Sequence, residues 1–135
     1  MRKIQWSEDF VIGVPEIDNQ HKALVEKLNN LIDTYNDNPD KIRDALDFLI
    51  DYALLHFETE ERFMEQYNYP GLNEQIEEHR KFTKTVNQFV DDFLMMGPTP
   101  EIAKRIEKEV IEWIEHHILN VDKKIGKFIK KQKDK

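Results

Sequence analysis

Apolar residues recur at steps of three and four along four separate stretches of the chain, the pattern of helices that each bury one face. The first stripe is Ile17, His21, Leu24, Leu28, Leu31 and Tyr35. The second is Ile42, Leu46, Leu49, Ala53, His56, Glu60, Phe63 and Tyr67. The third is Gln75, His79, Phe82, Val86, Phe89 and Phe93, and the fourth is Ala103, Ile106, Val110, Trp113 and His117. These stripes predict helices over about 18–36, 39–67, 72–96 and 100–131. Glycine and proline fall at the boundaries. Asp18 is placed to cap the first helix, and Asn38-Pro39 opens the second with Pro39 at its first position. Tyr69-Pro70-Gly71 breaks the chain before the third helix, which ends at Gly97, and Thr99-Pro100 caps and starts the fourth. Residues 1–16 hold Gly13 and Pro15 and carry no helical period, so an extended N-terminal arm is expected. No stretch alternates with a period of two. The expectation is one all-α domain over 1–135, an antiparallel up-down four-helix bundle.

Every stripe contains polar residues in register with the apolar core. Burying one unpaired polar group costs on the order of 1–3 kcal/mol, and a lone buried carboxylate costs far more. A small domain has a total stability of about 5–15 kcal/mol, so His21, His56, Glu60, Gln75, His79 and His117 must share partners. Histidine nitrogens and carboxylate oxygens are good ligands for iron, manganese or zinc. The spacing supports a shared site: His56 and Glu60 are i, i+4 on one face, as are Gln75 and His79. Beyond His117 the register slips. The apolar pattern resumes with Ile125 and Ile129, and counting back puts Asp122 on the renewed stripe with one extra residue before it. A single-turn π-bulge would absorb that residue and turn both His117 and Asp122 inward; such bulges are frequent at functional sites.

A lone histidine on an apolar face is more often a core residue bonded to a neighbour. The joint occurrence of four histidines and two carboxylates is what points to metal. Phe82, Phe89, Phe93 and Trp113 are read as core packing, while Phe57 and Met64 are candidates for lining the pocket that residue type alone does not establish. Glu58 and Glu61 fall on other faces and are expected in solvent. His116 lies roughly 100° around the helix from His117 and is read as a surface residue.

Composition narrows the function classes. The net charge of −7 disfavours sequence-independent binding to nucleic acid or to anionic lipid. The lysines from Lys123 to Lys135 are read as a solvated helix end, where cations suit the negative pole of the dipole. The absence of cysteine excludes thiolate zinc sites, disulfides, iron–sulfur clusters and cysteine nucleophiles. No signal-peptide pattern follows Met1 and no apolar run approaches membrane-spanning length, so a cytoplasmic location without membrane partners is expected. There is no H-E-x-x-H, no P-loop and no dinucleotide fingerprint. The E-x-x-H pair of ferritin-like di-iron proteins is also missing. Ser7, the only serine, lies in the arm.

The residues resemble the hemerythrin family, its bacterial members in particular, over nearly the whole chain. The arm Trp6-Ser7-Glu8-Asp9-Phe10 and the run Gly13-Val14-Pro15-Glu16-Ile17-Asp18 followed by His21 are similar to the family's opening segment. His56-x-x-x-Glu60 matches its H-x-x-x-E element, and His117-x-x-x-x-Asp122 its H-x-x-x-x-D element. The resemblance implies two iron ions joined by a bridging oxo or hydroxo group and by the carboxylates of Glu60 and Asp122. It implies that His21 and His56 serve the iron that keeps a position open for dioxygen, and that His79 and His117 serve the other. The departure is Gln75. The family's H-x-x-x-H element here reads Gln75-Ile76-Glu77-Glu78-His79, and a neutral glutamine amide oxygen is a weaker donor than imidazole.

Three functions follow as expectations. The first is reversible binding of dioxygen as a carrier, store or sensor, without catalysis. The second takes the weakened ligation at Gln75 as favouring an enzyme reactive toward peroxide or nitric oxide. The third is a metal-poor helical interaction module.

Overall fold

The computed structural model describes residues 2–35 and 39–134. Three long helices, α1 (Pro15–Thr34), α2 (Pro39–Gln66) and α3 (Leu72–Met96), are followed by a fourth rod. That rod alternates α-helix and π-helix: α4 (Pro100–Arg105), a π turn at Ile106–Ile111, α5 (Glu112–His116), a π turn at His117–Asp122, and α6 (Lys123–Lys133). Among the described residues there is no strand.

The bundle is antiparallel, and its two apolar clusters show this directly. One cluster holds Leu24, Leu28 and Leu31 of α1, Ile42 through Phe57 of α2, Phe82 through Phe93 of α3, and Ile102 through Ile118 of the fourth rod. The other holds Val14, Ile17, Met64, Ile125 and Ile129, with Leu72 packed against it. α1 and α3 therefore run from the smaller cluster to the larger, and α2 and the fourth rod run back. The polar positions of every stripe fall at the level between the two clusters.

The helix boundaries follow from local chemistry. α1 begins at Pro15, three residues before the expected cap, because Pro15 at the first helical position presets the helical φ. Asp18 is thus not the N-cap. It sits in the first turn and its carboxylate caps the incoming arm instead, accepting from the N–H of Ile12 (2.7 Å) and of Gly13 (3.2 Å). Gly13 has φ +90°, a left-handed conformation that suits glycine. Pro39 begins α2 as expected, whereas the end of the first predicted helix at 36 and Asn38 lie outside the described residues. Gly97, at φ +72°, closes α3 with its N–H on the Phe93 carbonyl. The Thr99 hydroxyl accepts from the Ile102 N–H and Pro100 opens α4, as the sequence predicts.

The arm is less extended than expected. Glu8–Phe10 forms a 3-10 turn capped by Ser7, and Trp6 stacks on Phe10. Asn29 on α1 clamps the arm by exchanging two hydrogen bonds of 2.7 Å with the backbone of Ile4. The fourth rod also differs from its predicted stripe: Ile102, Ile111, Ile114 and Ile118 are buried, whereas Ala103 and Trp113 are half-buried. In α2 the last two stripe positions, Phe63 and Tyr67, are half-buried against the smaller cluster.

Gly126 fixes how closely α6 approaches the arm. A Cβ there would lie 2.5 Å from the Ile12 carbonyl oxygen and 2.7 Å from the Ile12 Cβ. We predict that Gly126→Ala destabilises the fold by about 1–3 kcal/mol through overpacking. The clash with backbone outweighs the roughly 1 kcal/mol that alanine gains in helix propensity. Urea unfolding measures it, and a raised midpoint would contradict the packing described.

Candidate metal centre

Six of the seven predicted ligands converge on one point, and they form two overlapping groups. His21, His56, Glu60 and Asp122 present ligand atoms within 4.8 Å of one another, and so do Glu60, His79 and His117. Each helix contributes: α1 gives His21, α2 gives His56 and Glu60, α3 gives His79, and the fourth rod gives His117 and Asp122. The π turn predicted from the register slip spans His117–Asp122, and both of its terminal residues are buried. A second π turn at Ile106–Ile111 was not foreseen from the sequence.

The two carboxylates reach toward both groups. Asp122 sets Oδ2 at 2.8 Å from His21 Nε2 and at 3.1 Å from His56 Nε2, while its Oδ1 is 3.0 Å from His117 Nε2. Glu60 Oε1 closely approaches His56 Nε2 and lies 3.4 Å from His117 Nε2. Glu60, Asp122 and His21 have no solvent exposure, and His56, His79 and His117 have 1%, 3% and 4%.

Hydrogen-bond direction shows what the centre lacks. The His21 Nδ1–H donates to the Phe10 carbonyl at 2.9 Å, since a carbonyl only accepts. Its Nε2 points inward, 2.8 Å from Asp122 Oδ2. His56 is set by a chain: the Thr59 hydroxyl donates to the Leu55 carbonyl, the Gln20 amide N–H donates to Thr59, and the Gln20 carbonyl accepts from His56 Nδ1 at 3.0 Å. His79 Nδ1 donates to Glu61 at 3.0 Å. Each of these imidazoles thus turns its Nε2 toward the carboxylates, where a proton or a metal ion must sit between nitrogen and oxygen. Consistent with this, Glu60 Oε1 and Oε2, Asp122 Oδ1, His79 Nε2 and His117 Nε2 are buried without a hydrogen-bond partner. These orphaned atoms and the mixed imidazole and carboxylate donor set fit a pair of transition-metal ions.

In the protein alone, protons do part of that work. Burial by itself lowers the His56 pKa, but the Glu60 and Asp122 carboxylates outweigh it and push it up to about 9. Burial opposes the charge on His117 likewise, and Asp122 and Glu60 raise it to about 10. Asp122 is held well below the usual carboxylate range: burial opposes this, but His117 and the hydrogen bonds of His21 and His56 prevail. At His79 burial wins, and its pKa is lowered despite Glu60 and Glu61.

Aromatic rings stack on two of these imidazoles. Phe57 stacks on His79 (centroids 4.1 Å apart, 10° between planes) and Trp113 on His117 (4.8 Å, 11°). Phe57 lies beside the centre as expected, and Met64, fully buried, packs in the smaller cluster below it. Glu61 is not the solvent-facing residue the sequence predicts: it is half-buried because its carboxylate turns to His79. Glu58 is exposed, and so is His116, whose ring and carbonyl contact Asn120. Gln20 and Thr59 escaped the sequence reading. Each stands three residues after a stripe position, Ile17 and His56, and that spacing was the available signal. Gln75 lies one turn before His79, half-buried, with its amide oxygen shielded from solvent and without a partner.

Comparison with known proteins agrees with this geometry. The family described as "Hemerythrin HHE cation binding domain" matches residues 12–129. Bacteriohemerythrin of Clostridium acetobutylicum is 32% identical over 123 residues, which cover 87% of this chain and 95% of that protein. Bacteriohemerythrin of Methylococcus capsulatus is 30% identical over 128 residues, with 93% and 96% covered. A crystal structure of a leucine-to-tyrosine mutant of hemerythrin superposes with a TM-score of 0.81 at 28% identity, covering 96% of this chain and 98% of the other. With its four-helix bundle and its buried cluster of histidine and carboxylate side chains, the chain belongs to the hemerythrin family.

Proposed function

We propose that the chain holds two iron ions and binds dioxygen reversibly, as a carrier, store or sensor in the cytoplasm. The observation that carries this reading is the pair of donor groups that share Glu60, with Asp122 of the first reaching His117 of the second, and the orphaned buried atoms they turn inward. His21 and His56 would hold one ion and His79 and His117 the other, with Gln75 beside the second. When bound, the two ions supply the electrons and the open coordination position that dioxygen requires.

The protein's own residues set the conditions. Phe10, Gln20 and Glu61 each accept from one imidazole and keep its Nε2 turned inward. Such outer partners orient ligands and raise their basicity. Phe57, Trp113 and the apolar clusters on either side exclude water, which slows irreversible oxidation of the site. Among the described residues no helix is long and apolar enough to cross a membrane.

Two outcomes are expected. Iron-loaded, reduced protein should gain a visible charge-transfer band on exposure to dioxygen and lose it when oxygen is removed. A spectrum that never responds to dioxygen would contradict the reading. The second concerns protons, which metal ions displace from the ligands. In the metal-free protein the folded pKa values of His56 and His117 lie above the ordinary 6.5. Their contribution to stability is therefore full below about pH 6.5 and is lost as pH rises through about 9 to 10. Asp122 contributes above its ordinary 3.8 and loses its contribution as pH falls toward its depressed value. Urea midpoints of chelator-treated protein should fall between pH 7 and 10, whereas iron-loaded protein should not show that decline. A flat profile for the metal-free protein would overturn the proton assignment.

A further inference from the structure

The two halves of the centre differ in what lies behind them. Behind His21 and His56 the protein is closed: their exposures are 0% and 1%, and each Nδ1 is tied to a buried acceptor. Behind His117 there is a pocket of about 180 Å³, lined by Gln75, Glu78, Trp113, His116, His117 and Val121. Gln75 and His117 line that pocket together. The Gln75 amide oxygen is buried without a hydrogen-bond partner, so no protein group competes for it. The rest of its side chain is half-exposed along the pocket wall, so it can rotate outward without unpacking the core.

We propose that Gln75 is a displaceable donor, and that small exogenous ligands reach the centre at the His79 and His117 position through this pocket. The inference rests on the two-metal reading above. A neutral amide oxygen binds an intermediate metal such as iron or cobalt less strongly than imidazole does. The His79 and His117 position borders the pocket, and there Gln75, a neutral amide, is the donor that an arriving ligand displaces most readily. The ligand class is a small monoanion or a neutral diatomic. A metal centre attracts the negative charge, while the pocket volume and the Glu78 carboxylate in its wall disfavour larger or multivalent anions.

Azide is a suitable probe. It would be titrated into the cobalt(II)-loaded wild type, Gln75→His and Gln75→Ala proteins, following the visible cobalt spectrum, with cobalt per chain measured in each. Two cobalt ions per wild-type chain are expected. Gln75→His, which offers an imidazole in place of the amide, should weaken azide binding by about tenfold or more. Gln75→Ala should bind azide at least as tightly as the wild type. Wild-type azide affinity in Gln75→His would put the ligand on the His21 and His56 side and overturn the inference while leaving the two-metal reading intact. A tenfold loss in Gln75→Ala, or no azide binding by the wild type, would also overturn it. Fewer than two cobalt ions in the wild type would remove the two-metal reading itself.

Discussion

Two carboxylates, Glu60 and Asp122, sit without solvent exposure in the middle of a helical bundle, and the surrounding structure is arranged around neutralising their charge. An isolated buried carboxylate is prohibitively costly. The Nδ1 atoms of His21, His56 and His79 are committed outward, to Phe10, Gln20 and Glu61, so only the Nε2 atoms face the carboxylates. The centre is thus built to be completed by cations. Protons on His56 and His117 are one form of completion, and metal ions are the form the donor set favours.

The scaffold serves that constraint. Apolar clusters above and below the polar level bury each helix on both sides of the centre, so ligand positions are held by packing that does not depend on them. The π turn at His117–Asp122 is the local device that serves the centre. It inserts one residue so that a histidine and an aspartate from one rod both face inward while Ile125 and Ile129 remain in the core. Arg, Lys and Glu pairs on the outside, such as Arg105 with Asp92 and Glu109, are partly solvated and contribute little by comparison.

Much of this was legible in the sequence, because a buried helix face leaves a three-and-four rhythm and a polar residue inside that rhythm stands out. All six positions of the first stripe are buried, and five of the six of the third. The first register break was visible because apolar positions on both sides of it are unambiguous. The second, at Ile106–Ile111, was hidden because Val110 and Ile111 are both apolar, so either phase fits the pattern. Asp18 was misassigned because a cap for a helix and a cap for the arm entering it use the same residue type. Gln20, Thr59 and Glu61 were missed or misread for a common reason. Their roles are relational: Gln20 and Glu61 each bond a histidine across the bundle and Thr59 bonds Gln20, and the apolar stripe of a single helix does not name those partners.

The most direct test is anomalous X-ray diffraction from a crystal of iron-loaded protein, with data collected at the iron edge. The account predicts two anomalous peaks between Glu60 and Asp122, one flanked by His21 and His56 and the other by His79 and His117. Diffraction showing no iron there, with the imidazoles of His56 and His117 bonded directly to the carboxylates, would contradict it.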